Sequence, residues 1–178
     1  PHPDGFASSV DLIAALAETE RFNIRVGAYP DLHPDAPNMA ASIDWLKAKI
    51  DAGASEALTQ FFFEADTFFR YRDACVKAGI DAPITPGILP IENWKGARNF
   101  ARRCGTVIPR WVEDAFTKAL RDDRQDLLAT ALCTELCSDL IEGGVESLHF
   151  YTLNRPELTR DVCHALGVTP KMQLQNVA

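Results

Sequence analysis

The chain has 178 residues, of which 47% are hydrophobic and 24% charged, with a formal net charge of −7. That composition supports one globular domain with a real core and excludes a disordered chain, while the acidic balance argues against a nucleic-acid or anionic-membrane surface, which needs clustered Lys and Arg. No run approaches the roughly 20 apolar residues of a membrane span, and the Pro-His-Pro-Asp start lacks a basic-then-apolar leader pattern, so a cytosolic protein is expected.

The first seven residues, PHPDGFA, read as a loop, and Ser8 or Ser9 caps a helix through Leu12, Ile13 and Leu16. Asn23 to Tyr29 reads as a strand, and a Pro- and Asp-rich loop follows. From Met39 to Ala52, Ile43, Leu46 and Ile50 recur at helical spacing, with Gly53 placed to end the helix. Glu56 to Phe63 is a second strand, in which Phe61-Phe62-Phe63 reads as core. Asp66 is expected to cap a helix that buries Phe68, Phe69, the Arg72 stem, Cys75 and Val76 and ends at Gly79.

Ile84 to Leu89 is a third strand, hemmed by Pro83, Pro86 and Pro90, and Ile91 to Cys104 a helix. The only basic cluster, Arg98 with Arg102 and Arg103, reads as its wet face. Pro109 starts an extra helix through Leu120. A charged turn at 121–124 then leads into a long helix striped by Leu128, Leu132, Leu136 and Leu140. Ser147 to Leu153 is the fourth strand, and Pro156, at the first helical position, opens a last helix closed by Gly167.

The cysteines at 75, 104, 133, 137 and 163 are odd in number and scattered, which suggests neither a disulfide framework nor a metal site. Cys133 and Cys137 share a helix face, yet without a second ligand pair they read as small buried residues.

Four successive βα units admit two α/β architectures, an open doubly wound sheet or part of a parallel (β/α)8 barrel. Four strands cannot close a barrel, which takes roughly 250 residues. No GxGxxG or Walker loop follows any strand, which counts against a dinucleotide-binding open sheet. In either architecture the chemistry sits where strands end and helices begin, and those edges read AYPDLHP, TQFFF, PGILP and FYTLNRP.

Taken in order, AYPDLHP, LKAKIDAGA, TQFFFEADTFFRYRDACVKAGID, PGILPI, IPRWV and HFYTLNRPELTRDVCHALGV resemble the bacterial type of the methylenetetrahydrofolate reductase family. The resemblance runs from about Phe22 to Val168 and is specific in combination rather than motif by motif. It implies a TIM barrel of which this chain supplies strands five to eight as a single domain over 1–178, the C-terminal half of the catalytic barrel, with a helical insertion at 105–145 before the last strand. The family's proton-donating Glu lies in the first half, so no catalytic residue is expected here. No room for a regulatory domain is expected after the last helix.

The implied activity is reduction of 5,10-methylenetetrahydrofolate to 5-methyltetrahydrofolate by NADH or NADPH, passing through FAD by a ping-pong route in one-carbon metabolism and methionine biosynthesis. The resemblance places Tyr29, His33, Ala36, Ser42 and Lys49 against FAD, and Gln60, Phe100 and Arg155 against the folate. Tyr151 and Thr152 are expected to line the same edge, and His149 to pack within its strand. Ser42, Trp45, Ala48 and Gly96 depart from the family pattern, which puts part of the phosphate, ribose and folate contacts in question. The expected partners are a folate, a nicotinamide cofactor, and either further copies of the chain or the missing half-barrel. Two other readings stand beside this one. In the first, a catalytically silent half-barrel binds a partner through its open strand edges; in the second, the chain is a related flavin barrel such as a proline dehydrogenase.

Overall fold

The computed structural model describes residues 5–168, so the first four residues of the expected N-terminal loop and the last ten residues lie outside it. Helix α1 (Ser9–Ala17) starts on Ser8, whose hydroxyl accepts from the Asp11 amide. Strand β1 (Arg25–Ala28), helix α2 (Met39–Asp51), strand β2 (Glu56–Thr59) and helix α3 (Ala65–Lys77) follow in alternation. The Asn38 side chain caps α2 by accepting from the Ala41 amide.

β1 and the last strand, β5 (His149–Phe150), are shorter than expected, and α3 and β2 differ in three details. The residue capping α3 is Glu64, without a side-chain hydrogen bond, and Asp66 instead lies in the first turn, where its charge complements the helix dipole. Val76 is exposed, and Tyr71 takes its place on the buried stripe with Phe68 and Cys75, because the helix turns a 68, 71, 75 face to the core. β2 ends at Thr59, so Phe61 and Phe62 are buried from the segment after the strand.

The third expected strand is a single run with two partners. Strand β3 (Ile84–Thr85) pairs with β2, and strand β4 (Gly87–Ile88) pairs with β5 (His149–Phe150), all in parallel. Pro86 separates them because it has no N–H for the ladder; its carbonyl accepts from the His149 amide. Gly87 then donates its amide to Thr59 Oγ1 at 2.8 Å, closing the seam between the sheets. A Cβ at Gly87 would lie 2.1 Å from the Thr59 carbonyl oxygen, so only glycine fits.

Helix α4 (Trp94–Cys104) starts later than expected, on Asn93, whose side chain accepts from the Gly96 amide. It ends on Gly105 at φ 73, packed against Leu32 and Pro34 of the loop after β1. Helices α5 (Arg110–Arg121) and α6 (Gln125–Glu142) follow. Along α6 the most deeply buried positions are Ala129, Cys133, Cys137 and Leu140, while Leu128, Leu132 and Leu136 flank them. Cys133 and Cys137 are buried small residues as expected, and no metal-binding cluster of His, Cys, Asp and Glu exists among the described residues. Pro156 is the residue before α7 (Glu157–Ala165) rather than its first member.

The sheet order β1-β2-β3 follows chain order. One core, built from Ala28, Ile43, Leu46, Ala57, Tyr71, Cys75 and Ile80, fills the space between the first sheet and helices α2 and α3. The other runs from Phe61, Phe62 and Phe68 through Ile88 and Trp94 to Phe116, Cys137, Leu140 and Val162. The opposite face of the first sheet is polar at its base, where Arg25 pairs with Glu56 at 2.6 Å and Glu56 accepts from Thr85 Oγ1 at 2.7 Å. No helix among the described residues is long and apolar enough to cross a membrane.

Candidate functional site

The C-terminal ends of β1, β2, β4 and β5 all open on the same side, as parallel pairing requires. Two contacts made by the segment after α4 hold the first two of these ends. Thr106 Oγ1 donates to the Phe61 carbonyl at 3.1 Å, and the Val107 amide donates to Asp31 Oδ2 at 3.0 Å. Burial raises the Asp31 carboxyl above its ordinary value, against the lowering effect of that amide.

Tyr29, His33, Ala36, Ser42 and Lys49 line one cavity of about 390 Å³ between the end of β1 and helix α2. The Tyr29 and His33 rings meet edge to face at 4.5 Å. His33 Nδ1 accepts from the Asp35 amide, which fixes the turn carrying Ala36. Ser42, Trp45 and Lys49 follow one another at three- and four-residue intervals on a single face of α2. Lys49 has no carboxylate within ion-pair distance among the described residues, and burial lowers its pKa. Tyr71 also lines this cavity; its buried hydroxyl has no hydrogen-bond partner among the described residues, and burial, with the neighbouring Cys75, drives its pKa upward.

Gln60 lines an adjoining cavity of about 340 Å³, which shares Tyr29, His33 and Asp35 with the first and is closed by Arg103 and Cys104. Its amide N–H donates to the Ala28 carbonyl, and its side-chain oxygen accepts from the Phe61 amide at 3.1 Å. The carboxamide N–H₂ has no protein acceptor among the described residues.

Phe100 and Arg155 share a third cavity of about 260 Å³ with Glu92, Gly96, Tyr151, Thr152 and Leu153. Phe100 stacks on Phe61 at 5.4 Å, which joins this cavity to the Gln60 segment. Arg155 follows Leu153 and Asn154, both left-handed at φ 48 and φ 63, and its amide donates to the Thr152 carbonyl to close the turn. Its guanidinium donates to Glu92 at 3.2 Å. Glu92 is held in turn by Gln125 of α6, which donates to the Glu92 carbonyl and accepts from the Trp94 amide. His149 lies edge to face against Tyr151 at 4.8 Å, within its strand.

A family model described as methylenetetrahydrofolate reductase matches residues 1–167. The chain belongs to the methylenetetrahydrofolate reductase family. Curated relatives named 5,10-methylenetetrahydrofolate reductase include those of Escherichia coli, 44% identical over 170 residues, and Buchnera aphidicola from Acyrthosiphon pisum, 41% identical over 162 residues. These alignments cover 94% and 90% of this chain but 56% and 55% of the relatives, so the chain spans about half the length of the relatives it matches. Among solved structures it is similar to a Clostridium thermocellum protein described as binding two copies of 5-methyl-5,6,7,8-tetrahydrofolic acid. That likeness has a TM-score of 0.62 at 15% identity, covers 90% of this chain and 59% of the other, and bears on the α/β fold alone.

The eight expected site residues of this family member thus fall into three neighbouring cavities on one side of the sheets: five in the first, Gln60 in the second, Phe100 and Arg155 in the third. Reading the sequence passed over Tyr71 and Glu92. Tyr71 carried no signal, because a tyrosine at helical spacing reads as core; Glu92 was hidden because its partner Arg155 is 63 residues away. A further cavity of about 410 Å³, behind β4 between α3, α5 and α6, contains none of the expected residues.

Proposed function

We propose that this chain supplies strands five to eight of a (β/α)8 barrel in a cytoplasmic methylenetetrahydrofolate reductase, and carries much of its flavin and folate sites. The observation that supports this most is that all eight expected residues line three neighbouring cavities, from the strand ends and from helices α2 and α4. The barrel reading draws on the parallel strands, with 84–89 counted as one strand serving two partners, and on the outer edges of β1 and β5, left for further strands to pair. In this reading residues 1–178 are one domain, α5 and α6 form the insertion at 105–145, and the acid that opens the folate ring belongs to the other half. The closed barrel would join that half to this one, and homo-oligomers fit the same surface logic.

The first cavity suits FAD on three counts: among the described residues Lys49 has no ion-pair partner, Trp45 stacks on no other ring, and the buried Tyr71 hydroxyl on its wall has no hydrogen-bond partner. Bound there, FAD supplies hydride transfer from NADH or NADPH to the folate methylene carbon in two alternating half-reactions. This chain's own residues bind and orient. Lys49 neutralises a phosphate, and Ser42 offers a hydroxyl to the ribose or phosphate region. Tyr29, His33 and Ala36 bound the ring end. The Gln60 carboxamide meets the donor and acceptor edge of the pterin, Phe100 stacks on it, and Arg155 exchanges Glu92 for a folate carboxylate or carbonyl.

The test is the visible spectrum of the purified full-length protein under anaerobic titration. Flavin bands bleached by NADH or NADPH and restored by 5,10-methylenetetrahydrofolate are expected; a colourless protein that takes up no FAD overturns the reading.

A further inference from the structure

We propose, resting on the folate reading above, that the cleft beyond Arg155 discriminates by tail charge: a folate with one glutamate binds more tightly than its oligo-γ-glutamyl forms.

The third cavity does not close at Arg155. It continues into a cleft of about 580 Å³ between the first turns of α6 and α7, and Glu92 and Arg155 line both. In the folate reading the pterin lies at Gln60, the aminobenzoyl ring against Phe100 and a carboxylate at Arg155. That order follows from the contacts, because Phe100 stacks on Phe61, next to Gln60, and shares its cavity with Arg155. Each further γ-glutamyl unit starts from the glutamate beside Arg155 and adds one carboxylate, ionised at neutral pH. The cleft is the space it meets.

That space repels it. Asp126, Glu157 and Asp161 join Glu92 on its walls, against one cation, Arg155, which Glu92 already holds at 3.2 Å. Asp161 has an exposed partner in Arg160 at 3.5 Å, a pair that water screens. Asp126 and Glu157 have no cation within ion-pair distance among the described residues. The amides of two helix ends would ordinarily attract an anion here, but Asp126 and Glu157 sit in those first turns and supply the negative charge themselves. Gln125 pins the backbone at Glu92 and Trp94, so the carboxylate nearest Arg155 stays in place when Arg155 turns to a ligand. A groove built for a chain of carboxylates presents lysines or arginines along its length; this one presents carboxylates.

The experiment uses full-length protein and isothermal titration calorimetry with 5-methyltetrahydrofolate carrying one glutamate or three, at low ionic strength and in about 0.5 M salt. It is repeated with Asp126→Asn, Glu157→Gln and Asp161→Asn combined. Wild type is expected to bind the triglutamate roughly fivefold more weakly, the effect of two added charges about 10 Å from several carboxylates. The difference should shrink to under about twofold in high salt and in the combined variant, whose affinity for the single-glutamate form stays within about twofold of wild type. Glu157→Gln alone should narrow the difference part-way, and it decides the matter where the combined variant does not fold. A triglutamate that binds wild type as tightly as the single-glutamate form or more tightly, as a basic segment from the rest of the protein would bring about, overturns the proposal. So does a difference that the substitutions leave in place, whatever salt does. If neither folate binds, the folate reading fails and the proposal with it; single-glutamate binding without the difference leaves that reading standing and removes the proposal alone.

Discussion

Tyr151 donates its hydroxyl to the Thr59 carbonyl at 2.8 Å, across 92 residues of chain. The contact ties the end of β5 to the end of β2, one residue before Gln60. Thr59 is fully buried, and its hydroxyl accepts from Gly87 on the strand between, so one residue secures the seam of both sheets. Burial raises the Tyr151 pKa, with the nearby Tyr29 and Cys104 adding to it, so the phenol remains a donor throughout the neutral range.

Tyr151→Phe keeps the ring and removes this bond from a fully buried carbonyl. A loss of about 1–3 kcal/mol is expected. Urea unfolding should show a lower midpoint at an unchanged slope.

Gly87→Ala tests the same seam from the other side. Its Cβ would meet the Thr59 carbonyl oxygen at 2.1 Å and Tyr151 Cε2 at 2.6 Å, and backbone cannot step aside as a side chain can. The expected cost is about 2 kcal/mol or more, read as a fall in melting temperature.

Lys49→Met separates binding from stability. Burial lowers the Lys49 pKa from its ordinary 10.5, so the native chain holds this proton less readily than the unfolded one, and the charge opposes folding at neutral pH. The variant should melt at the same temperature as wild type or higher at pH 7, with the gap closing as pH rises towards 10.5. Its affinity for FAD should fall by about tenfold or more, which flavin fluorescence measures.

Asp31→Asn carries the opposite sign. A raised carboxyl means that the native state binds its proton more tightly than the unfolded state, so this group's contribution to stability is present below 3.8 and lost as pH climbs through the raised value. Asn keeps an oxygen to accept the Val107 amide. Relative to wild type, the variant should gain stability between acid and neutral pH, by about 1 kcal/mol or less, in melting curves taken across that range.

Gln60→Leu in the full-length protein should slow flavin reoxidation by 5,10-methylenetetrahydrofolate by about tenfold or more and leave flavin reduction by NADH or NADPH nearly unchanged. Stopped-flow absorbance resolves the two half-reactions, and equal losses in both would remove Gln60 from the pterin edge.

The alternation of apolar runs with helix-length segments was legible in the chain alone, as were the ends of α2 and α3 at Gly53 and Gly79, because hydrophobic period and left-handed glycines are local properties. So was the family, carried by motifs that each span a few residues. The division of 84–89 between two sheets was decided by what lies beside it: β2 offers partners before Pro86 and β5 after it. The burial of Tyr71 in place of Val76 depends on which way α3 rolls against the first sheet. The joining of Glu92, Arg155 and Gln125 depends on α4, α6 and the last strand-end turn meeting in space. Local sequence determines elements because propensity and periodicity act over one or two turns. Partners far apart in the chain are chosen only when it packs, and the contacts that tie Gln60 to Ala28, Phe100 to Phe61 and Arg155 to Glu92 are of that kind.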